Sequence, residues 1–306
     1  MVSRSLNNAV ILLDKPSGRT SFDVISDLKR YAGVKKIGHS GTLDKFASGL
    51  LVVCTGKYTK LTRYFLESDK RYTGTIQLGI ETDTCDITGQ VVSENNFEAL
   101  TGERLIESVS MFKGKILQVP PGYSSLKIKG KRASDRVRKG EDVVLEPRNV
   151  EVYNFVITSA DIEKGTVDFD IKCSKGTYIR AIARDLGRKL GCGAFLASLR
   201  RVESGDFTVE SALSPGRISE YMNGNLPPFF VIDPRDALKK FSWIVLDKDG
   251  ASRVSNGALF ISENVKKTGI GHNRKTLLLD EDKNLIAIAD IDMEKWIIQY
   301  DSVFNH

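Results

Sequence analysis

Two widely separated stretches of the chain share a period of two. From Tyr72 to Gly79, the residues Tyr72, Gly74, Ile76 and Leu78 fall on one side and Thr73, Thr75 and Gln77 on the other, and Val167, Phe169, Ile171 and Cys173 repeat the pattern. Side chains of an extended strand alternate between the two faces of a sheet, so both stretches read as half-buried strands. Directly after the second, Ser174-Lys175-Gly176-Thr177 turns the chain and the period changes to that of a helix. Ile179, Ile182, Ala183, Leu186 and Leu190 share one helical face, and Gly191 and Gly193 mark its end.

The N-terminal region follows the same logic. Val10 to Leu13 reads as a short buried strand closed by the turn Asp14-Lys15-Pro16-Ser17-Gly18. Thr20 with Asp23 three residues on forms a capping-box pattern, and Val24, Ile25, Leu28 and Tyr31 fall on one face of the helix it starts. Arg180, Arg184 and Arg188 recur every four residues beside the apolar face of the later helix, a spacing that by default means a solvated stripe. Leu226-Pro227-Pro228 to Pro234 breaks the composition. Beyond it, Ile244-Val245-Leu246, Lys275 to Leu279 and Leu285 to Ala289 predict short strands of a small β-rich C-terminal domain.

The 306 residues are enough for one large domain with a small one. No stretch approaches the roughly 20 apolar residues that span a bilayer, and no leader-like segment is present, so a soluble, cytoplasmic protein without a membrane role is expected. Cys54, Cys85, Cys173 and Cys192 are scattered, which suggests neither a zinc ribbon nor a disulfide framework; reduced, mostly buried thiols are expected. The formal charge of +6 is a modest pointer to a polyanionic partner. Its distribution says more: Lys127, Lys129, Lys131, Arg132, Arg136, Arg138 and Lys139 crowd into one stretch with Gly130 and Gly140, which reads either as a solvated loop or as a phosphate-contacting arm.

The densest segment is Gly38-His39-Ser40-Gly41-Thr42-Leu43-Asp44-Lys45-Phe46-Ala47-Ser48-Gly49. Its glycines let a ligand approach the backbone closely, although a lone Asp among Gly, Ser and Thr is by itself most often a turn or cap residue. His39 has no His or Cys nearby, so no metal site is expected. This segment resembles the G-H-x-G-x-L-D-P-x-A-x-G signature of the TruB-type transfer-RNA pseudouridine synthases. Further blocks agree in order: Leu13-Asp14-Lys15-Pro16, Asp69-Lys70-Arg71-Tyr72, Ser174 to Arg180 and Leu190 to Ala194. Pro120-Pro121-Gly122-Tyr123-Ser124 and Leu199-Arg200-Arg201 also look like family segments.

The resemblance implies that Asp44 is the catalytic aspartate, that Tyr72 packs on the target base and that Arg180 pairs with Asp44. Tyr178 and Leu199 would line the pocket, His39 would contact the base or fill the space it leaves, and Lys15 and Lys60 would help the site structurally. Each role has a physical sense. Converting uridine to pseudouridine breaks the N-glycosidic bond, turns the uracil and rejoins it through C5, with no net change in composition, so no cofactor is expected. It needs a carboxylate, a guanidinium that keeps the carboxylate ionised and aimed, and flat faces for a base flipped out of its stack at a cost of a few kcal/mol. Attack on the ribose C1′, addition to uracil C6 and removal of the C2′ proton all draw on the same residues.

The expected architecture is thus α+β: a pseudouridine synthase catalytic domain with a mixed sheet over residues 1–240, and a small β-barrel resembling the PUA RNA-binding domain over 241–306. An arm at about 120–148, carrying Lys129, Lys131 and Arg132, would close over RNA. The implied substrate is uridine 55 in the T loop of tRNA, bound through the T-arm by a monomer. The rivals are an RNA-binding, tRNA-folding protein on the same scaffold and a guide-RNA-dependent pseudouridine synthase subunit. Three departures from the pattern stand out: Lys45 replaces the proline after the aspartate, Ala133-Ser134 replaces an aromatic in the basic stretch, and Ser125 stands where alanine is commoner.

Overall fold

A computed structural model describes residues 5–304 apart from positions 99, 125, 129, 272, 293, 294 and 296, and for 127, 128, 132 and 273 only the backbone. The strand Val10–Lys15 pairs antiparallel with Ser48–Thr55, from Val10 opposite Cys54 to Lys15 opposite Gly49. Ile11, Leu13, Leu51 and Val53 pack under the helix Ser21–Ala32 with Val24 and Leu28, while Val10, Leu12, Leu50 and Val52 enter a second core on the other face. Burial on both faces is why these strands read as continuous apolar runs.

The expected capping box starts that helix: Asp23 N donates to Thr20 Oγ1 (3.1 Å) and Thr20 N to the Asp23 carboxylate (2.8 Å). The helix buries Ser21, Val24, Ile25 and Leu28. Tyr31 departs from the expected apolar face, lying 43% exposed at the helix end with the Arg30 guanidinium 5.6 Å from its ring centroid.

Among the described residues the main sheet runs Val231–Ile232, Val10–Lys15, Ser48–Thr55, Ala194–Ser204, Lys70–Leu78, Thr166–Cys173, Arg148–Asp161 and Gly114–Gln118. Both strands read from the period of two are present, and Val167, Phe169, Ile171 and Cys173 are fully buried. They face the helix Ile179–Leu190, whose Ile179, Ile182, Ala183, Leu186 and Leu190 close the same core. Gly191, at φ +83°, ends that helix in the left-handed conformation.

Every neighbouring pair in this sheet is antiparallel except one. Ala194–Ser204 meets Ser48–Thr55 in parallel, and only Arg200 opposite Ser48 and Arg201 opposite Gly49 are paired. The sheet therefore parts into two halves joined at a short seam, and a cleft opens there. The segment after the composition break is woven into the first half: Val231–Ile232 adds to its edge and Phe230 is fully buried.

From Phe241 a second sheet runs in the order Val265–Gly269, Phe241–Leu246, Asn273–Leu279, Leu285–Asp292 and Ile297–Val303. No pairing joins its two edge strands among the described residues, so it is not a closed barrel. Leu278, Ile286 and Ala287 face the helix Lys248–Ser255, whereas Leu277, Leu279, Leu285, Ile288 and Phe304 share a core with Val10, Leu12, Leu50 and Val52 of the main sheet. Edge-to-face ring pairs reinforce that shared core, Tyr58 with Phe304 and Tyr64 with Phe241. All four cysteines are free and buried, as expected. No helix among the described residues is long and apolar enough to cross a membrane.

Candidate active site

The loop between Ile37–His39 and Ser48–Thr55 carries Asp44 to the seam. Several bonds hold it from beneath: Ser21 Oγ accepts from Leu43 N (3.0 Å), Gly18 N donates to the Lys45 carbonyl (2.8 Å) and Ser17 Oγ to that of Phe46 (2.7 Å). Lys15 is fully buried and spreads its ammonium over the carbonyls of Pro16 (3.1 Å), Arg19 (2.6 Å) and Lys45 (3.5 Å). Burial lowers its pKa to about 8 against the opposing pull of the Asp44 charge. Its role is local: it ties the turn after the first strand to the loop that bears Asp44. The Lys45 side chain, in place of proline, is exposed.

Arg180, in the first turn of its helix, is buried, and its Nε lies 2.9 Å from Asp44 Oδ2 with Nη2 3.3 Å from Oδ1. A two-point contact of this kind fixes the plane of the carboxylate as well as its distance. The expectation of a solvated arginine stripe holds only at its far end: Arg180 is inside and Arg184 reaches Asp185 and the Val119 carbonyl, whereas Arg188 stays exposed while pairing with Glu81. Each guanidinium finds oxygen because neighbouring turns press against this side of the helix.

Although 41% of the Asp44 side chain faces the open cleft, its carboxyl is held above the usual carboxylate range. Desolvation by the walls comes first and the charge of Asp86 adds to it, while Arg180 and Lys15 oppose. The cleft is lined by Ser40 to Asp44, Lys70, Tyr72, Ser124, Tyr178, Arg180, Leu199 and Arg201, among others. Asp44, Arg180, Tyr72, Tyr178 and Leu199, far apart in sequence, are thus brought together. Tyr72 stands opposite Arg201 across the strand pair, and burial raises its phenol.

Other expected residues stand elsewhere. His39 flanks the cleft without lining it, half-buried in its short strand, and burial lowers its imidazole pKa with a partial offset from the Gly41 backbone. Lys60 points to the second sheet, donating to the Val303 carbonyl (2.7 Å) with its ammonium 5.7 Å from the Phe304 ring centroid. In the arm, Lys127–Ile128 and Lys131–Arg132 form a small hairpin leading into the helix Ala133–Val137. Lys129 and Ser125 lie outside the described residues, and Lys131 is exposed.

Sequence reading missed a second carboxylate. Asp86 is buried and its Oδ2 stands 3.3 Å from Arg180 Nη1, while Thr84 Oγ1, Thr88 Oγ1 and Thr88 N donate to its Oδ1. The signal was available in Thr82-Asp83-Thr84-Cys85-Asp86-Ile87-Thr88-Gly89, a segment dense in carboxylates and hydroxyls a few residues beyond the Tyr72 strand. Arg201, noted only as part of a segment, proves fully buried; it donates to the Leu50 (2.7 Å) and Gly41 (3.2 Å) carbonyls and so binds the two sheet halves. Among the described residues no cluster of three or more His, Cys, Asp or Glu is placed to hold a metal ion.

A carboxylate aimed by a buried guanidinium, with a tyrosine ring and a leucine in the wall beside it, can polarise or attack a flat ligand. It sits on the fold of the pseudouridine synthases. The chain superposes on one in a Cbf5-Nop10-Gar1 complex with a TM-score of 0.71 at 23% identity, covering 97% of this chain and 85% of that one. The archaeal box H/ACA sRNP Nop10-Cbf5 complex gives 0.70 at 21%, covering 99% and 88%.

By sequence, the chain belongs to the TruB family of pseudouridylate synthases and is an isomerase. The family's N-terminal domain model matches residues 29–179, and a tRNA pseudouridylate synthase B C-terminal domain model matches 180–222. Similar relatives include the tRNA pseudouridine synthase B of Geobacter sulfurreducens, 41% identical over 92% of this chain and 92% of its own. That of Caldanaerobacter subterraneus subsp. tengcongensis is 38% identical over 94% and 96%.

Proposed function

We propose that the chain converts uridine 55 in the T loop of tRNA to pseudouridine, with Asp44 as the essential carboxylate. The observation that carries this reading is the Asp44–Arg180 contact at 2.9 Å in the cleft, in a chain whose relatives are named tRNA pseudouridine synthase B. The flipped uracil lies against Tyr72 between Tyr178 and Leu199. The N1–C1′ bond breaks, the base turns within the closed pocket, and C5 bonds to C1′; the proton leaving C5 is balanced by the one gained at N1. Arg180 keeps the carboxylate oriented through this sequence, and Lys15 holds the loop that carries it.

The basic stretch around Lys127 to Lys139, with Lys129, Lys131 and Arg132, acts as an arm that closes over the T-arm phosphates, and His39 at the cleft margin contacts the base or fills the gap it leaves. We read residues 1–240 as the catalytic domain and 241–306 as a PUA-like RNA-binding unit, in a cytoplasmic monomer. A guide-RNA-dependent subunit stays in view because it would share the aspartate signature around Asp44. Incubating the purified chain alone with an unmodified tRNA transcript and mapping pseudouridine tests both readings. Modification at position 55 without added RNA or protein supports the first, a requirement for a guide RNA supports the second, and binding without modification supports an RNA-folding protein.

A further inference from the structure

The stem from which the arm leaves the main sheet is stapled to the Ile179–Leu190 helix at three points. Gln118 holds the Tyr178 backbone from both sides, accepting from its N (2.9 Å) and donating to its O (3.1 Å). Arg184 Nη2 donates to the Val119 carbonyl (2.8 Å) and Arg180 Nη2 to the Tyr123 carbonyl (2.9 Å). The Tyr123 phenol reaches the other way, to Asp83 Oδ2 (3.3 Å), in the turn that holds Asp86. The arm's own helix is tied to the next residue, since Ser134 N donates to the Ser124 carbonyl (3.2 Å).

Every nitrogen of the Arg180 guanidinium is engaged: Nε by Asp44, Nη1 by Thr84 O and Asp86, and Nη2 by Asp44 and Tyr123 O. Losing the Tyr123 carbonyl strands a buried donor. The guanidinium can then recover a partner only by turning, which spoils its two-point hold on Asp44. Resting on the pseudouridine-forming reading, we propose that Tyr123 is a positioning residue that makes the aim of Arg180 on Asp44 depend on how the arm is seated. Closure of the arm on RNA and alignment of the carboxylate are then one event.

The test compares the full chain with Tyr123→Phe, which removes only the phenol anchor, on an unmodified tRNA transcript. One lost hydrogen bond should lower kcat by about three- to tenfold with KM unchanged. The acid limb of kcat should also move to higher pH. Asp44 is faced by Arg180 from the helix, Asp86 from the turn, Lys15 from the first strand, Tyr72 from its strand and Tyr178 at the helix start, and Arg180 is the cation whose hold is loosened. Asp83→Ala, which removes the acceptor of the phenol, should reproduce both effects. In an Arg180→Lys background Tyr123→Phe should add nothing, because the contact it supports is already gone. A rise in KM with kcat and the acid limb unchanged overturns the proposal, leaving Tyr123 a simple RNA contact, and so does full additivity with Arg180→Lys. If the wild type makes no pseudouridine, the proposed function fails instead, whereas an active wild type matched by Tyr123→Phe in kcat and pH profile fails this inference alone.

Discussion

The backbone of Gly49 runs so close to Arg201 that a Cβ on residue 49 would stand 2.3 Å from the Arg201 carbonyl oxygen. Gly49 also holds φ +105°, outside the range of L side chains. This approach is the seam where the two sheet halves meet in parallel, and the Arg201 side chain crosses it to Leu50 and Gly41. Gly49→Ala should therefore push the halves apart and cost about 2–4 kcal/mol of stability in urea unfolding. An unchanged midpoint would show that the seam yields easily and that the cleft does not depend on it.

Removing residues 235–306 uncovers the face of the main sheet formed by Val10, Leu12, Leu50 and Val52, together with Tyr58 and Tyr64, which meet Phe304 and Phe241 edge to face. A truncated chain should melt well below the full one and bind a hydrophobic dye, because buried apolar surface becomes exposed. A truncation as stable as the full chain would show that the shared core contributes little.

Lys70 turns its ammonium into the carbonyls of Phe65, Leu66 and Ser68, and burial takes its pKa from 10.5 to about 8. A lysine with a depressed folded pKa destabilises fully below about 8. The cost is relieved as pH rises toward 10.5, where the unfolded chain still holds the proton that the folded one has released. The wild type should gain stability relative to Lys70→Met as pH rises from about 8 toward 10.5 in urea titrations. Parallel curves would mean that Lys70 keeps its proton throughout.

If the arm contacts phosphates, neutralising Lys129, Lys131 and Arg132 together should weaken RNA binding and flatten its salt dependence. The log-log slope should lose at most about one unit per lost contact. Unchanged affinity and slope would make the stretch a solvated loop.

Local signals carried much of this fold. The Thr20–Asp23 capping box, the alternation at Tyr72 and Val167, and the Gly191 stop each rest on neighbours in sequence, and each stands in the structure. What could not be read depends on contacts between distant segments. Arg180 and Arg184 look like part of a solvated stripe until the turn at 83–89 and the stem at 118–123 are packed against them. Lys60 looks like a site lysine until the second sheet places the Val303 carbonyl beside it. Asp86 escaped notice because its partners are Thr84 and Thr88 locally but Arg180 across the fold.

The Asp44–Arg180 pair allows the sharpest test. Asp44→Asn keeps the shape of the side chain and removes its charge, so pseudouridine formation should vanish while RNA affinity stays within about twofold of wild type. The wild-type carboxyl lies above the ordinary carboxylate range, so the acid limb of kcat should fall at higher pH than the usual value of about 4. The sign follows from the causes: desolvation and Asp86 favour the protonated form, Arg180 favours the charged one, and only the charged form can act as nucleophile or base. Arg180→Ala removes the opposing charge, so the limb should move further up and kcat should fall by about two orders of magnitude or more. Arg180→Lys should restore part of the charge effect and little of the aim, since an ammonium lacks the planar fork. A pH–rate profile for each variant on the same transcript separates charge from geometry. Near-normal turnover by Asp44→Asn, with contaminating enzyme excluded, would remove the carboxylate from the reaction and the proposed mechanism with it.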